Sequence, residues 1–311
     1  MKKIVMVMQV LFSSLLCMSH GPLQIIPAKV SNPEIPALKM GETVIKHLGY
    51  SLSYNEPYEQ ANWVAYMLTS QETKGIYKRT NKFIEDPLVA SGTADNKDYL
   101  HSDLDRGHLA PAGDMKWSEQ SMAESFYYSN MSPQVPTFNR GIWEHGEELV
   151  RAWAVENKAI YIVVGPVLTK GLPTIGPNRV AVPRFYFKVI LDYTLPQVKA
   201  IGLIIPNGDN YKPLKNYFVS VDSVEKFTGI DFFPALPDDQ EEKIESHLDL
   251  NAWNWGHLPA VKAGFDKKPA SASASSANSD AAAVQCLGMT KKGARCKKRT
   301  KNTNHRCEMH Q

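Results

Sequence analysis

The sequence predicts an α+β fold built around a central, mostly antiparallel sheet. Runs of strand-forming residues occur on both sides of a helical region, and connections rich in Gly, Pro and Asn separate them. The 43% apolar content of the 311 residues is enough to bury a large core. The predicted strands are residues 48–54, 62–68, 99–104, 159–164, 184–191 and 198–205.

Two amphipathic segments predict helices in the middle of the chain. Residues 119–128 follow Ser118, whose hydroxyl suits an N-cap, and Glu119 is favourable in a first turn. Residues 140–157 have one apolar side, which includes Trp143 and Trp153, and one charged side. Shorter helices are expected at 219–227 and 241–250.

The N-terminus predicts a signal peptide over residues 1–20. Met1-Lys2-Lys3 supplies a positive start, and the run 4–18 is mostly apolar. A membrane anchor is less favoured because this run is shorter than the roughly 20 apolar residues of a span. Residues 21–47, with scattered prolines, are expected to form an irregular lead-in to a main domain at 48–266. The sequence thus predicts a secreted or periplasmic protein.

Charge and cysteine are concentrated at the C-terminus. The net charge is +3 for the whole chain and +7 for residues 286–311, which leaves −4 for the rest. A mildly acidic body neither supports nor excludes binding to nucleic acid. Apart from Cys17, every cysteine lies in the tail. The main domain is therefore expected to depend on core packing or a bound metal rather than on disulfides.

The tail predicts a small metal-binding module. Residues 267–283, rich in Ser and Ala, are expected to form a flexible linker. Within 284–311, a Cys3His set suits tetrahedral zinc around which a short segment can fold. A disulfide is the alternative, and zinc is favoured because three cysteines leave one unpaired. The expected ligands are Cys286, Cys296, Cys307 and His310.

Residues 99–151 contain the groups that predict chemistry. His108, on a loop ahead of a helix, can take a proton from water as a neutral imidazole. Asn139 offers a carbonyl oxygen that suits hard Mg²⁺ or Ca²⁺. Glu147 and Arg151 are four residues apart and share a helix face. Each of these residues also has an ordinary structural explanation. The histidine could be a simple loop residue, the asparagine a helix cap, and the Glu–Arg pair a surface ion pair.

The ordered spacing of these residues is more specific than any one of them. The pattern is Asp105-Arg106-Gly107-His108, Ala110-Pro111, Ser129-Asn130, Pro133-Gln134, Asn139-Arg140-Gly141-Ile142-Trp143, Glu147 and Arg151. It resembles the DNA/RNA non-specific endonuclease family, the ββα-metal nucleases that include mitochondrial endonuclease G and secreted bacterial nucleases. The resemblance covers roughly 48–255. It implies a divalent-metal phosphodiesterase that cuts DNA and RNA with little sequence preference and leaves 5′-phosphates.

The resemblance also implies a role for each residue. His108 matches the family's general base, and Asn139 matches its ligand for Mg²⁺, or for Mn²⁺ or Ca²⁺. Glu147 and Arg151 match helix positions that support metal-bound waters and the transition state. Other matching active-site positions are Arg106, Asn130 and, upstream, the phosphate-binding Arg79. Asp105 is expected to support the loop.

Two rival functions remain open on the sequence alone. One is a structure- or sequence-selective DNase, and the other is a non-catalytic nucleic-acid-binding protein. The basic tail is expected either to hold DNA or RNA near the main domain or to bind an envelope or cell-surface partner.

Overall fold

The computed structural model describes residues 30–256, together with the backbone pairs 284–285 and 299–300. The chain divides into two units, Met1–Ala260 and Val261–Gln311. The predicted signal peptide (1–20), residues 21–29 of the lead-in, the linker and the four predicted zinc ligands lie outside the described residues.

Thirteen strands and five helices are described in chain order. The strands are β1 (Ile45–Lys46), β2 (Ser51–Asn55), β3 (Gln60–Thr69), β4 (Asp105–His108), β5 (Met131–Gln134), β6 (Ala159–Pro166), β7 (Thr174–Ile175), β8 (Val180–Ala181), β9 (Phe185–Asp192), β10 (Lys199–Pro206), β11 (Phe218–Val219), β12 (Val284–Gln285) and β13 (Arg299–Thr300). The helices are α1 (Asn96–Tyr99), α2 (Glu119–Glu124), α3 (Glu144–Glu156), α4 (Val221–Thr228) and α5 (Asp238–Glu245).

A seven-stranded sheet organises the first unit. Its strand order is β1-β2-β3-β6-β9-β10-β11, and every neighbouring pair is antiparallel. The prediction of a central antiparallel sheet is therefore confirmed. In the second unit, β12 and β13 form an antiparallel pair.

The two faces of the sheet bury separate apolar clusters. Successive strand residues point to opposite faces, so Ile162 belongs to one cluster and Val163 to the other. Helix α3 covers the first face with Leu149 and Trp153. Helix α4 covers the second face with Val224. Helix α3, which carries two of the candidate site residues, therefore packs on one face of the sheet, and α4 packs on the opposite face.

A separate strand pair and α3 form a ββα element. Strand β4 pairs with β5 in antiparallel register, with Asp105 opposite Gln134 and His108 opposite Met131. A π-helical turn, Phe138–Trp143, then leads into α3. The ββα element expected from the family resemblance is present.

The predicted strand at 99–104 is wrong. Asp95 forms a capping box with Asp98 and starts α1, which ends at Tyr99. The following turn holds His101 and Asp103 at positive φ, of 59° and 60°, which is incompatible with a strand. Pairing with β5 begins only at Asp105.

The helix predictions are correct in place but not in length. Ser118 caps α2 as expected, by accepting a hydrogen bond from the Ser121 N–H. Helix α2 ends early because the backbone at 126–128 bonds instead to Ile84. Regular α3 begins at Glu144 because Gly141 has non-helical backbone angles (φ −128°, ψ −109°). The shorter helices begin at Val221 and Asp238 rather than at 219 and 241.

Among the described residues, we find no helix with the length and apolar character needed to cross a membrane.

Candidate active site

Strand β4 places Arg106 and His108 on the same face, because residues two apart in a strand point the same way. Both lie against Phe83: the Arg106 guanidinium carbon is 4.1 Å from the centre of that ring, and the His108 ring centre is 5.9 Å from it. The His108 ring also contacts Phe126 edge to face at 4.8 Å. The predicted base is thus held by aromatic packing.

The His108 imidazole is almost entirely buried and incompletely bonded. It is 8% exposed, and within residues 30–256 its Nε2 has no hydrogen-bond partner. Burial, followed by the positive charges of Arg79 and Arg106, lowers the pKa of His108 to about 3. The ring is therefore neutral near pH 7, and its Nε2 is a buried atom whose hydrogen-bonding capacity is unused by the described residues.

Arg79 reaches the same place from a distant part of the chain. Its guanidinium carbon lies 5.2 Å from the centre of the Phe126 ring, on which His108 also packs. Its segment is anchored by the Tyr77 N–H, which donates to the Lys116 carbonyl at 3.1 Å. The structure therefore brings together His108, Arg106 and the upstream arginine expected from the resemblance.

Gly107 allows β4 to lie close to its partner strand. A Cβ atom at this position would fall 2.0 Å from Oε1 of the buried Gln134 side chain. A side chain here would have to displace the buried Gln134 side chain, which gives a steric reason for glycine at this position.

Asn139 is held by a carboxylate instead of capping a helix. Its Nδ2 donates to Asp105 Oδ2 at 2.9 Å, and the Arg140 Nε donates to the same oxygen at 2.8 Å. This agrees with the supporting role expected of Asp105. Because the two polar atoms of an amide point in different directions, Asn139 Oδ1 is directed away from Asp105.

A shallow pocket opens beside this part of β4. It is lined by Asn96, Tyr99, Leu100, Leu104, Asp105 and Arg106. Arg106 Nη1 donates to Asn96 Oδ1 at 2.8 Å, which fixes the guanidinium at the pocket wall.

Asn130 has a different position from the one expected of a residue that touches substrate. It is fully buried, and its Nδ2 donates to the carbonyls of Ala110 (2.9 Å) and Ser125 (2.8 Å). Its Oδ1 accepts from the Ala110 N–H at 2.8 Å. Both amide protons are used, so Asn130 holds the loop after His108 and is not presented to a ligand.

Glu147 and Arg151 meet around the carboxylate of Asp114. Arg151 Nη1 donates to Asp114 Oδ1 at 2.8 Å, and the Tyr66 hydroxyl donates to Asp114 Oδ2 at 2.8 Å. Burial opposes the charge of Arg151, but Asp114 and Glu147 raise its pKa above the ordinary value. Arg151, on α3, is therefore a cation fixed against Asp114 of the loop that follows His108.

Lys188 is a buried cation next to Glu147. It is 1% exposed, its Nζ lies 4.8 Å from the centre of the Trp143 ring, and this atom has no hydrogen-bond partner in residues 30–256. Burial lowers its pKa, while Glu147 opposes that shift. Burial also raises the pKa of Glu147 to about 7, against the attraction of Lys188 and Arg151.

The donor atoms present fit a hard divalent cation. Residues 30–256 contain no cysteine, so thiolate ligands are excluded there. The amide oxygen of Asn139, oriented by Asp105, is a ligand type that Mg²⁺ and Ca²⁺ prefer. No hydrogen bond or ring contact in the described ranges joins Asn139 to His108 or to Glu147.

Comparison with known proteins identifies the family. A family model described as DNA/RNA non-specific endonuclease matches residues 33–239, more than half of the chain. The chain belongs to the DNA/RNA non-specific endonuclease family. The resemblance recognised in the Asp105–Arg151 pattern is confirmed, and so is the prediction of an enzyme of the nuclease class.

Named relatives and a solved structure agree with this family. The chain is similar to mitochondrial nuclease EXOG of Danio rerio (37% identity over 62% of this chain and 62% of the relative) and to mitochondrial endonuclease G of Homo sapiens (33% over 67% and 73%). It also matches nuclease C1 of Cunninghamella echinulata, with 37% identity over 60% of this chain and 81% of the relative. A crystal structure of an EndoG/EndoGI complex matches with a TM-score of 0.60 and 30% identity, over 66% of this chain and 90% of that one.

The comparison corrects the predicted location. Several of the similar nucleases, from Danio rerio, Bos taurus and Homo sapiens, are mitochondrial proteins. The prediction of a secreted or periplasmic protein is therefore wrong. It depended on a charge and hydropathy pattern in residues 1–20, a region that the structure does not describe.

Two residues of this nuclease site were not predicted from the sequence. Asp114 lies six residues after His108 and gave no separate signal. Lys188 did give one, because it is the single basic residue of the segment Phe185–Asp192, where the other residues except Asp192 are apolar or aromatic. A lysine at the centre of such a strand requires a buried charge partner or a function.

Proposed function

We propose that this chain is a divalent-cation-dependent endonuclease that hydrolyses DNA and RNA phosphodiesters with little sequence preference and leaves 5′-phosphates. The proposal is carried by the His108 imidazole, which is buried, neutral and unpartnered at Nε2, with Arg79 and Arg106 beside it. A neutral base next to two cations suits the deprotonation of water beside a bound phosphate.

A bound phosphate would make His108 a stronger base. A pKa of about 3, caused first by burial and then by Arg79 and Arg106, makes His108 a poor proton acceptor in the free protein. A phosphate bound by Arg79 and Arg106 neutralises the second of these causes, so the imidazole becomes more basic when substrate is in place. His108 Nε2 then takes a proton from water as the water oxygen attacks phosphorus and the 3′ oxygen leaves.

Asn139, Glu147 and Arg151 supply the other groups of the proposed site. Asn139 Oδ1 would hold a divalent cation, which supplies charge neutralisation at the phosphate and lowers the pKa of its bound water. Asp105 keeps the Asn139 amide in position through the bond to Nδ2. Glu147 orders waters near this region, and Arg151 adds positive charge against the phosphate as negative charge builds on it.

The composition of the site supports a broad substrate range. Its charged groups suit phosphate and metal, which DNA and RNA share, and none of the roles assigned requires a base edge or a 2′-hydroxyl. A selective DNase would need contacts that read sequence. Comparable cleavage of unrelated DNA and RNA substrates would support a broad substrate range. Cleavage restricted to one sequence or to one of the two sugars would exclude it.

The test compares the same substitution at two histidines. His108→Asn removes the base, and His101→Asn changes an exposed histidine in the turn ahead of β4, where asparagine tolerates the positive φ. With Mg²⁺, plasmid DNA and an unrelated RNA, His108→Asn is expected to lose at least about 100-fold in rate. His101→Asn should retain the original rate.

The products provide a second readout. Fragments that a ligase joins without prior kinase treatment carry 5′-phosphates and support the proposed direction of cleavage. Equal rates for His108→Asn and the unchanged chain would refute the assigned base. Absence of cleavage by a folded, unchanged chain with Mg²⁺, Mn²⁺ or Ca²⁺ would refute the enzyme and favour a nucleic-acid-binding role.

A further inference from the structure

Helices α4 and α5 bring carboxylates together on the side of the sheet opposite α3. Asp222 and Glu225 are three residues apart on α4 and so lie on one face, and Glu245 is the last residue of α5. One carboxylate oxygen from each lies within 4.8 Å of the others. Acidic side chains this close repel one another unless a proton or a cation lies between them.

Glu245 is the member of this cluster that most needs a partner. It is 5% exposed, and its Oε1 is buried with no hydrogen-bond partner in the described part of the chain. A buried carboxylate oxygen without a donor costs free energy, so such atoms are usually paired or bound to a metal. This oxygen belongs to the carboxylate that faces Asp222 and Glu225.

The surroundings add negative charge instead of relieving it. Burial, then Glu225, Glu241, Asp222 and Asp231, raise the pKa of Glu245 to about 9. Burial also raises the pKa of Glu225, and Asp231 and Asp222 contribute. The basic residues of these helices, Lys226 and Lys243, form no ion pair within residues 30–256. The cluster therefore lacks a cation of its own.

We propose that Asp222, Glu225 and Glu245 bind a calcium ion that fastens α5 to α4, at a site separate from His108 and Asn139. Mg²⁺ demands near-ideal octahedral geometry and usually keeps several waters beside one or two carboxylates, whereas Ca²⁺ accepts more oxygen ligands in flexible geometry, so three grouped carboxylates fit Ca²⁺ better. Glu225 is already oriented, because its Oε1 accepts from the Phe232 N–H at 2.7 Å. The exposed Asp222 leaves room for water ligands and a path for entry.

The test measures calcium binding in the full chain after chelation. All proteins carry Asn139→Ala, so that the proposed catalytic cation does not contribute. Ca²⁺ is expected to raise the Tm of this background by roughly 5–10 °C at about 100 times its Kd. Glu245→Gln should abolish the rise, whereas the control Glu242→Gln, an exposed glutamate of the same helix, should retain it.

A second variant protects the test against misfolding. Asp222→Asn changes an exposed residue and should weaken Ca²⁺ at least ten-fold by calorimetry. Without Ca²⁺, Glu245→Gln should be about as stable as Glu242→Gln, since glutamine resembles the protonated carboxyl that the repulsion favours. The proposal is overturned if the background shows no Ca²⁺-dependent rise in Tm, if Glu245→Gln keeps that rise, or if Mg²⁺ produces an equal one.

Discussion

Substitution of Lys188 by methionine tests whether this buried cation sets the charge of Glu147. The change keeps a long unbranched side chain against Trp143 but removes the ammonium. Burial already raises the pKa of Glu147 to about 7, and Lys188 opposes that rise. Without the lysine, the carboxyl should therefore hold its proton to a higher pH.

The size of the effect follows from the ionised fraction. With a pKa of about 7, Glu147 is half ionised at pH 7. A nearby opposite charge shifts a pKa by about 1–3 units, and loss of even one unit leaves roughly one tenth of the carboxyl ionised at pH 7. If ionised Glu147 is the active form, kcat/KM should fall about five-fold at pH 7 and recover near pH 9.

The assay is the pH profile of kcat/KM on one DNA substrate, between pH 6 and 9.5. Lys199→Met is the matched control, because Lys199 also lies near a tryptophan, Trp253 at 4.8 Å, but pairs with Asp192 at 3.4 Å. Its profile should keep the original midpoint. Lys188→Met should lose stability as the pH rises, because ionised Glu147 is then buried without its opposite charge. An unchanged midpoint in a folded Lys188→Met would refute the coupling.

Two further substitutions test the strand that carries His108. Asp105→Asn should reduce nuclease activity about 10–100-fold, because Asn139 loses the carboxylate that orients it. Higher Mg²⁺ concentrations should restore part of the activity. A loss that Mg²⁺ does not change would contradict the role of Asp105 in orienting Asn139. Gly107→Ala should lower the free energy of unfolding by roughly 1–3 kcal/mol in a urea titration, because its Cβ overlaps the Gln134 side chain. Unchanged stability would show that the Gln134 side chain can move aside without cost.

Local patterns predicted the sheet and many of the element boundaries. The apolar segments at 159–164, 184–191 and 198–205 are strands within two residues at each end, because alternating or wholly apolar runs have few other places to be buried. The Ser118 cap was also predictable, since it depends on neighbouring residues alone. Errors arose where a residue distant in sequence determined the local structure. Residues 126–128 are an example, because their backbone bonds to Ile84 and the predicted helix ends before them.

The site shows the same division. The order of His108, Asn139, Glu147 and Arg151 along the chain is a local signature and was enough to indicate the family, which the comparisons confirm. The position of Asn130 could not be predicted from the sequence. Its amide bonds to Ala110 and Ser125, and the positions of these residues depend on how the loop folds. Its side-chain chemistry alone suits a ligand and a structural bond equally well.

The sequence alone therefore determined the fold class and the family, and it indicated His108 as the candidate base. Tertiary structure decided the electrostatics: that burial, with Arg79 and Arg106, lowers the pKa of His108, that Lys188 lies by Glu147, and that Glu245 faces two other acids. The reason is that periodicity and capping depend on neighbours along the chain, whereas a pKa depends on burial and on charges that the fold brings within a few ångströms.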